Sequence, residues 1–303
     1  MLEAQHILVI GDSILDHKVF CDAIGLSLET PTLKTRLDKE EFSYGGAGNV
    51  VANLLALGNT VTYVTPVAQD SYADQYYNWD HADLRLIPLC CDGKNVVKSR
   101  YWISRGDQCY KYLQINQGTP YNDPELTINT LSEELTYEMF DSAILVDYRG
   151  GLFTDRDNTA SMLSLLRKSN VRVYAASQVS DRKSQYELFA GADVICMNVS
   201  EAKSTMSTFE PTPDGLQNLS NLLDTRACVT RGEEGSMIQT ASGALTAPGH
   251  PIATIDTCGA GDSFLAALVA SREDLEFSNK WAAASTQQIG TNTPNLEEVL
   301  SWK

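Results

Sequence analysis

Short apolar runs alternate with amphipathic stretches along most of this 303-residue chain. Residues 6–11, 61–67, 143–147, 171–175, 194–197 and 228–230 each form a compact apolar run, which predicts strands. Helical patterns lie between them. After Gly45-Gly46, residues Val50, Val51, Leu54 and Leu55 recur at helical spacing, and Gly58 stops the helix. Met162, Leu163, Leu165 and Leu166 mark another helix over 158–168. Buried strands alternating with helices predict an α/β fold, with a mostly parallel sheet covered on both faces.

Two segments break this rhythm. Residues 13–44 and 85–117 carry short alternating runs such as Val96 to Ile103, bounded by Gly93 and Gly106. They predict antiparallel strands, with Ser104-Arg105-Gly106-Asp107 as a hairpin turn. Together they would form a small β lid over one edge of the main sheet, within a single domain spanning 1–303. The free strand edges of such a lid predict a homodimer.

Charge narrows the partners. The chain has 23 Lys and Arg against 39 Asp and Glu, a net charge of −16. Nucleic acid and anionic membrane surfaces are both excluded on that balance, because each is held by Lys and Arg. A small anionic substrate needs a local cluster of bases. The seven cysteines form no CxxC, so neither a zinc site nor a disulfide framework is expected. No apolar stretch approaches the ~20 residues of a membrane span. The start lacks the basic residues of a signal peptide, so a soluble cytoplasmic protein is expected.

The strongest chemical signal runs from Ile255 to Phe264, with Leu265, Ala267 and Leu268 on a helical face after it. Gly259, Ala260 and Gly261 crowd backbone N–H groups at a helix start, a geometry that holds an anion such as a transferring phosphoryl group. Asp262 in the first turn is placed to take a proton from an attacking hydroxyl. Read alone, the motif is equally a Gly-rich turn with an acidic helix start. A second Gly-rich turn, Ser43 to Asn49, opens another helix, and Asn49 can both donate to and accept from sugar hydroxyls. Asp12 closes the first strand and Asp16 follows it. Two carboxylates there suit a polyol, because open α/β sheets bind ligands beyond their carboxyl ends.

These pieces together resemble the ribokinase-like (PfkB) family of carbohydrate kinases. The signatures are Gly45-Gly46-Ala47-Gly48-Asn49, Asn198-Val199-Ser200-Glu201, Thr230 to Gly235, and Asp256 to Asp262, in the family's order. The resemblance implies a three-layer sandwich and ATP-dependent phosphoryl transfer with Mg²⁺. It implies Asp262 as base and Gly259, Ala260 and Gly261 as anion hole. It puts Asp12, Asp16, Gly45, Gly46 and Asn49 at the sugar. Asn198, Glu201, Thr230, Gly232 and Gly235 fall on the ATP–magnesium side, and Asp256 and Thr257 beside a monovalent cation.

Within the family, Gly11 to Asp16, Lys98 to Gln108 and Asp147-Tyr148 are similar to kinases of D-glycero-D-manno-heptose 7-phosphate. Lys98, Arg100, Arg105 and Lys111 against Asp107 give a local +3 that would grip a phosphate, or would be an ordinary solvated hairpin. Two departures stand out. Those kinases carry a lysine where this chain has Arg149-Gly150, and Asp-Pro-Lys where it has Ala176-Ser177-Gln178. No His-x-Gly-His motif of a fused nucleotidyltransferase is present, so a stand-alone kinase module is expected. Three alternatives stay open. They are a kinase of another sugar, a nucleoside kinase with an aromatic pocket, and a binding module without catalysis. Trp79, Trp281 and Trp302 are expected to be packing residues, with Trp102 the one tryptophan near a ligand.

Overall fold

A computed structural model of the chain describes residues 2–106, 108–178 and 184–302. The chain opens with β1 (His6–Gly11), then runs into two long strands, β2 (Ser13–Leu26) and β3 (Leu33–Gly46). Next come α1 (Ala47–Ala56), β4 (Thr60–Ala68), α2 (Ala73–Tyr77) and β5 (Leu84–Cys91). A second long pair follows, β6 (Val97–Arg105) and β7 (Gln108–Gln117). The middle third alternates α3 (Pro124–Tyr137), β8 (Ser142–Asp147), α4 (Arg156–Lys168), β9 (Arg172–Ser177), β10 (Val194–Asn198) and α5 (Val199–Thr205). After α6 (Pro213–Leu223) come β11 (Arg226–Thr230), β12 (Ser236–Thr240) and β13 (Gly243–Ala247). The chain closes with α7 (Ala260–Ala270), α8 (Leu275–Ser285) and α9 (Leu296–Ser301).

Nine strands form the main sheet in the order β13-β12-β11-β10-β9-β8-β1-β4-β5, every neighbouring pair parallel except β11 with β12 and β12 with β13. Alternate residues of each strand feed opposite layers, as the pleat dictates. Leu8 and Ile10 of β1 pack with Leu131 of α3, Met162 and Leu166 of α4 and Leu216 of α6. Ile7 and Val9 pack with Val50 and Leu54 of α1, Leu268 of α7 and Trp281 of α8. Helices therefore cover both faces, the three-layer arrangement expected. Among the described residues no helix is long and apolar enough to cross a membrane. Trp281 is fully buried, and Trp79 stacks on Tyr44, so both pack as expected.

The lid is a separate four-stranded sheet in the order β3-β2-β6-β7. It differs from the sequence expectation in two ways. Residues 84–91 belong to the main sheet, where β5 pairs parallel with β4, so the second lid segment begins at β6. Only Leu89 of this edge strand is fully buried, so it reads like a lid strand. The lid's central pair, β2 with β6, is parallel rather than antiparallel, because both strands leave the main sheet in the same direction. Arg105 ends β6 and Gly106 lies in the turn; Asp107 of the expected hairpin turn lies outside the described residues.

Candidate functional site

Strand order reverses at β1, which has β4 on one side and β8 on the other. Beyond the carboxyl ends of the strands at such a point a crevice opens, because successive connections leave in opposite directions. Here the lid roofs it and encloses a cavity of about 370 Å³. The lid contributes Asp16, Lys98 and Arg100, and the turn before α1 contributes Gly45 and Gly46. Strand ends supply Asp147, Ser177, Asn198 and Thr230, and the loop into α7 supplies Thr257, Gly259, Gly261 and Asp262.

Asp262 is the centre of this cavity's polar chemistry. Its Oδ2 accepts a hydrogen bond from Asn49 Nδ2 at 3.0 Å, and its Oδ1 accepts one from the Tyr148 hydroxyl at 2.7 Å. Burial pushes its carboxyl up from 3.8 to about 6, against the opposing pull of these two donors. Gly259 caps α7 in the left-handed region at φ 79°, and a Cβ there would stand 2.5 Å from Asn49 Nδ2. Only glycine lets the two Gly-rich turns meet so closely. The Ala260 amide donates to the Thr257 carbonyl at 3.2 Å. Among the described residues the amides of Gly261 and Asp262 have no protein partner, so they are open at the positive end of α7.

Several residues read as substrate contacts do other work. Asp12 is buried outside the cavity wall, and its carboxylate accepts the amides of Tyr148 at 3.0 Å, Gly150 at 2.9 Å and Leu152 at 3.3 Å. Burial and the neighbouring charge of Asp147 push it up to about 7. It shapes the turn after β8. Asn49 also lies behind the wall, bonded to Asp262 and to the Gly259 carbonyl. The four bases of the lid do not converge: Lys98 and Arg100 line the cavity, whereas Arg105 is exposed at the strand end. Five residues at about 3.3 Å each carry it well past Arg100. Lys111 is exposed on β7, and Trp102 packs on Phe20 with ring centroids 6.5 Å apart, outside the cavity wall. Arg100 forms a buried ion pair with Asp16.

The Asn198 and Glu201 pair caps α5: Asn198 Oδ1 accepts the Glu201 amide and Glu201 Oε2 accepts the Asn198 amide, each at 2.9 Å. Both residues still face the cavity, and the Tyr186 hydroxyl lies 3.0 Å from the same Glu201 oxygen. Gly232 and Gly235 lie off the cavity wall. Gly235 is needed because the backbone of 247–249 presses against it, with Ala247 O 2.2 Å from a built Cβ. Asp256 ties two loops, accepting the amides of Cys258 at 3.0 Å and Gly290 at 2.8 Å. Tyr148 is the residue that sequence reasoning missed as a site group. Its signals were its position just beyond the carboxyl end of a buried strand and its place in the Asp147-Tyr148 motif.

Residues 127–298 match the model of the pfkB family carbohydrate kinases. The chain is 27% identical over 319 residues to the bifunctional protein HldE of a Nitratiruptor species, covering 98% of this chain and 64% of that one. It is 30% identical over 311 residues to the bifunctional protein HldE of Pseudomonas putida, covering 97% and 63%. The chain thus spans less than two thirds of the length of these relatives. Among solved structures it is similar to Escherichia coli phosphofructokinase-2 in complex with potassium, at a TM-score of 0.73 and 18% identity over 99% and 97% of the two chains. It is also similar to Arabidopsis thaliana ribokinase complexed with ribose and ATP, at a TM-score of 0.70 and 17% identity over 99% and 100%. The fold is ribokinase-like, and the chain belongs to the pfkB family of carbohydrate kinases.

Proposed function

We propose that this kinase transfers the γ-phosphoryl group of ATP to a hydroxyl of a sugar phosphate, with the anomeric hydroxyl of D-glycero-D-manno-heptose 7-phosphate as the first candidate acceptor. The observation that carries the reading is a buried carboxylate, Asp262, in the same helix turn as two open amides, under a lid that brings Lys98 and Arg100. The acceptor hydroxyl gives its proton to Asp262 as its oxygen attacks phosphorus. The amides of Gly261 and Asp262 stabilise charge developing on the phosphoryl oxygens, and the lid keeps water from competing. Asp16 neutralises Arg100, so Lys98 is the base left to meet a sugar phosphate or the transferring group.

Asn198 and Glu201 both face the cavity beside the end of β10, where they would hold a magnesium ion through its waters. That ion, when bound, supplies neutralising charge for the phosphates. Thr257 lines the cavity, whereas both Asp256 oxygens already accept amides, so a monovalent cation beside them rests on the family resemblance alone. The heptose assignment rests on the lid and strand-end motifs. Arg149, beside the position of the missing lysine, donates through Nε to the Gln178 carbonyl at 3.0 Å and lies 3.4 Å from Asp147.

An assay of ADP release with ATP, Mg²⁺ and a panel of sugars and sugar phosphates tests the reading. Turnover on the heptose phosphate alone supports the acceptor named here. Activity on another sugar keeps the kinase and discards the heptose. Ligand binding without ADP release across the panel would leave a binding module.

The lid also supports self-association. Leu37, Phe42, Tyr110, Leu113 and Ile115 share its outer face by register and are all exposed, and β3 and β7 are its edge strands. Exposed apolar faces and open edges favour pairing with a second copy. Light scattering at micromolar concentration should give a dimer, and Leu113→Lys should give a monomer. A monomeric wild type would count against the assignment.

A further inference from the structure

Resting on the kinase reading above, we propose that Tyr148 is a positioning residue: its hydroxyl, with Asn49, fixes the plane of the Asp262 carboxylate and holds it in the form that can accept a proton. Each carboxylate oxygen of Asp262 has one such donor, Asn49 on Oδ2 and Tyr148 on Oδ1, at 3.0 and 2.7 Å. That leaves each oxygen a lone pair for the substrate hydroxyl. A base held at two points cannot rotate away from the line of attack, and a small misplacement of such a group is costly.

The placement of Tyr148 is itself built. Its amide donates to Asp12 Oδ2 at 3.0 Å, which is the work found for Asp12 above. Its ring lies against the turn before α1, with Cδ2 3.3 Å from where a Cβ on Gly46 would stand. The Lys98 ammonium of the lid lies 5.8 Å from the ring centroid on β6. Tyr148 therefore joins the first strand's carboxylate, the Gly-rich turn, the lid and the base. Burial holds its phenol well above the ordinary tyrosine range, so it donates rather than titrates. A donor to the charged form of Asp262 opposes the effect of burial and keeps the carboxylate ionised at neutral pH.

The test is Tyr148→Phe, which removes one oxygen and keeps the ring. The expected result is a kcat lowered about 10- to 100-fold, by analogy with other groups that orient a reacting centre. The KM for the sugar should stay within about threefold, because the hydroxyl acts on the base. The acid limb of the kcat–pH profile should move up by about one unit, the loss of one hydrogen bond to a charged group. An unmoved limb with kcat per folded molecule near wild type would overturn the proposal, since a purely structural role predicts that result.

A readout without turnover separates this idea from the kinase reading. The carbon-13 titration midpoint of the Asp262 carboxyl should rise in Tyr148→Phe even if no sugar is phosphorylated. An unchanged midpoint sinks the proposal whatever the enzyme's substrate. Should the phenylalanine variant fold poorly, a difluorotyrosine at 148 keeps the shape and strengthens the donor. The midpoint should then fall, and its failure to fall is equally decisive against the assignment.

Discussion

Asp262→Asn is expected to lower turnover about a thousandfold while leaving the fold and nucleotide binding in place. Asparagine has the shape of aspartate but no basic oxygen, so the attacking hydroxyl must lose its proton to water in a cavity built to exclude water. The residual rate then reports what the amides and positioning contribute on their own. Stability should move the other way. The carboxyl titrates near 6 in the folded chain against 3.8 as a free side chain, so its burial destabilises the fold increasingly as pH rises between those values. The amide carries no such penalty, and at pH 8 the variant should melt no lower than wild type. A kcat within tenfold of wild type would show that another group takes the proton.

Asp12→Ala is expected to give the largest loss of stability, about 3 kcal/mol at pH 7. Three amides, those of Tyr148, Gly150 and Leu152, lose their acceptor together, and each unsatisfied buried donor costs about 1–3 kcal/mol. Removing the buried charge offsets part of that. The pH dependence separates the two effects. With a folded pKa of about 7 against 3.8, the native chain holds a proton that the unfolded chain releases, so wild-type stability falls as pH rises through this window. Denaturant midpoints measured from pH 5 to 8 should decline for wild type and decline less steeply for Asp12→Ala. Parallel slopes would mean that Asp12 does not titrate in this range. Activity should fall as well, since the amide of Tyr148 hangs on this carboxylate.

The framework was legible because its signals are local. A run such as Val194 to Met197 has few folded alternatives, and the glycines around 259–261 announce a helix start within a few residues. What stayed hidden were relations between distant residues. The hydroxyl that orients Asp262 belongs to Tyr148, 114 positions earlier, and nothing in the spacing of either reveals the other. Asp12 has the residue type of a sugar ligand and lies next to a cavity, yet it spends its oxygens on backbone. Only the path of 148–152 shows that. The lid bases misled for a geometric reason: composition counts Lys98 and Arg105 alike, whereas a strand separates them by most of the length of the lid. Residues 85–91 read as lid because an edge strand of the main sheet is as little buried as a lid strand.

The parallel pairing inside the lid makes it a long-range closure. Leu15 stands opposite Val97 and His17 opposite Ser99, partners 82 positions apart, with β4 and β5 of the main sheet between them in the chain. Neither lid segment can find the other until the intervening loop is closed, and such long closures come late because their entropy cost precedes any reward. The floor of the cavity needs longer closures still, Ile7 with Ser142 and Asn49 with Asp262, but it is buried between helix layers, whereas the outer half of the lid stands largely in water. Native-state amide exchange in the outer half of β2 and β6 should therefore run through openings smaller than global unfolding. The element that roofs the cavity is then the first the folded chain can release.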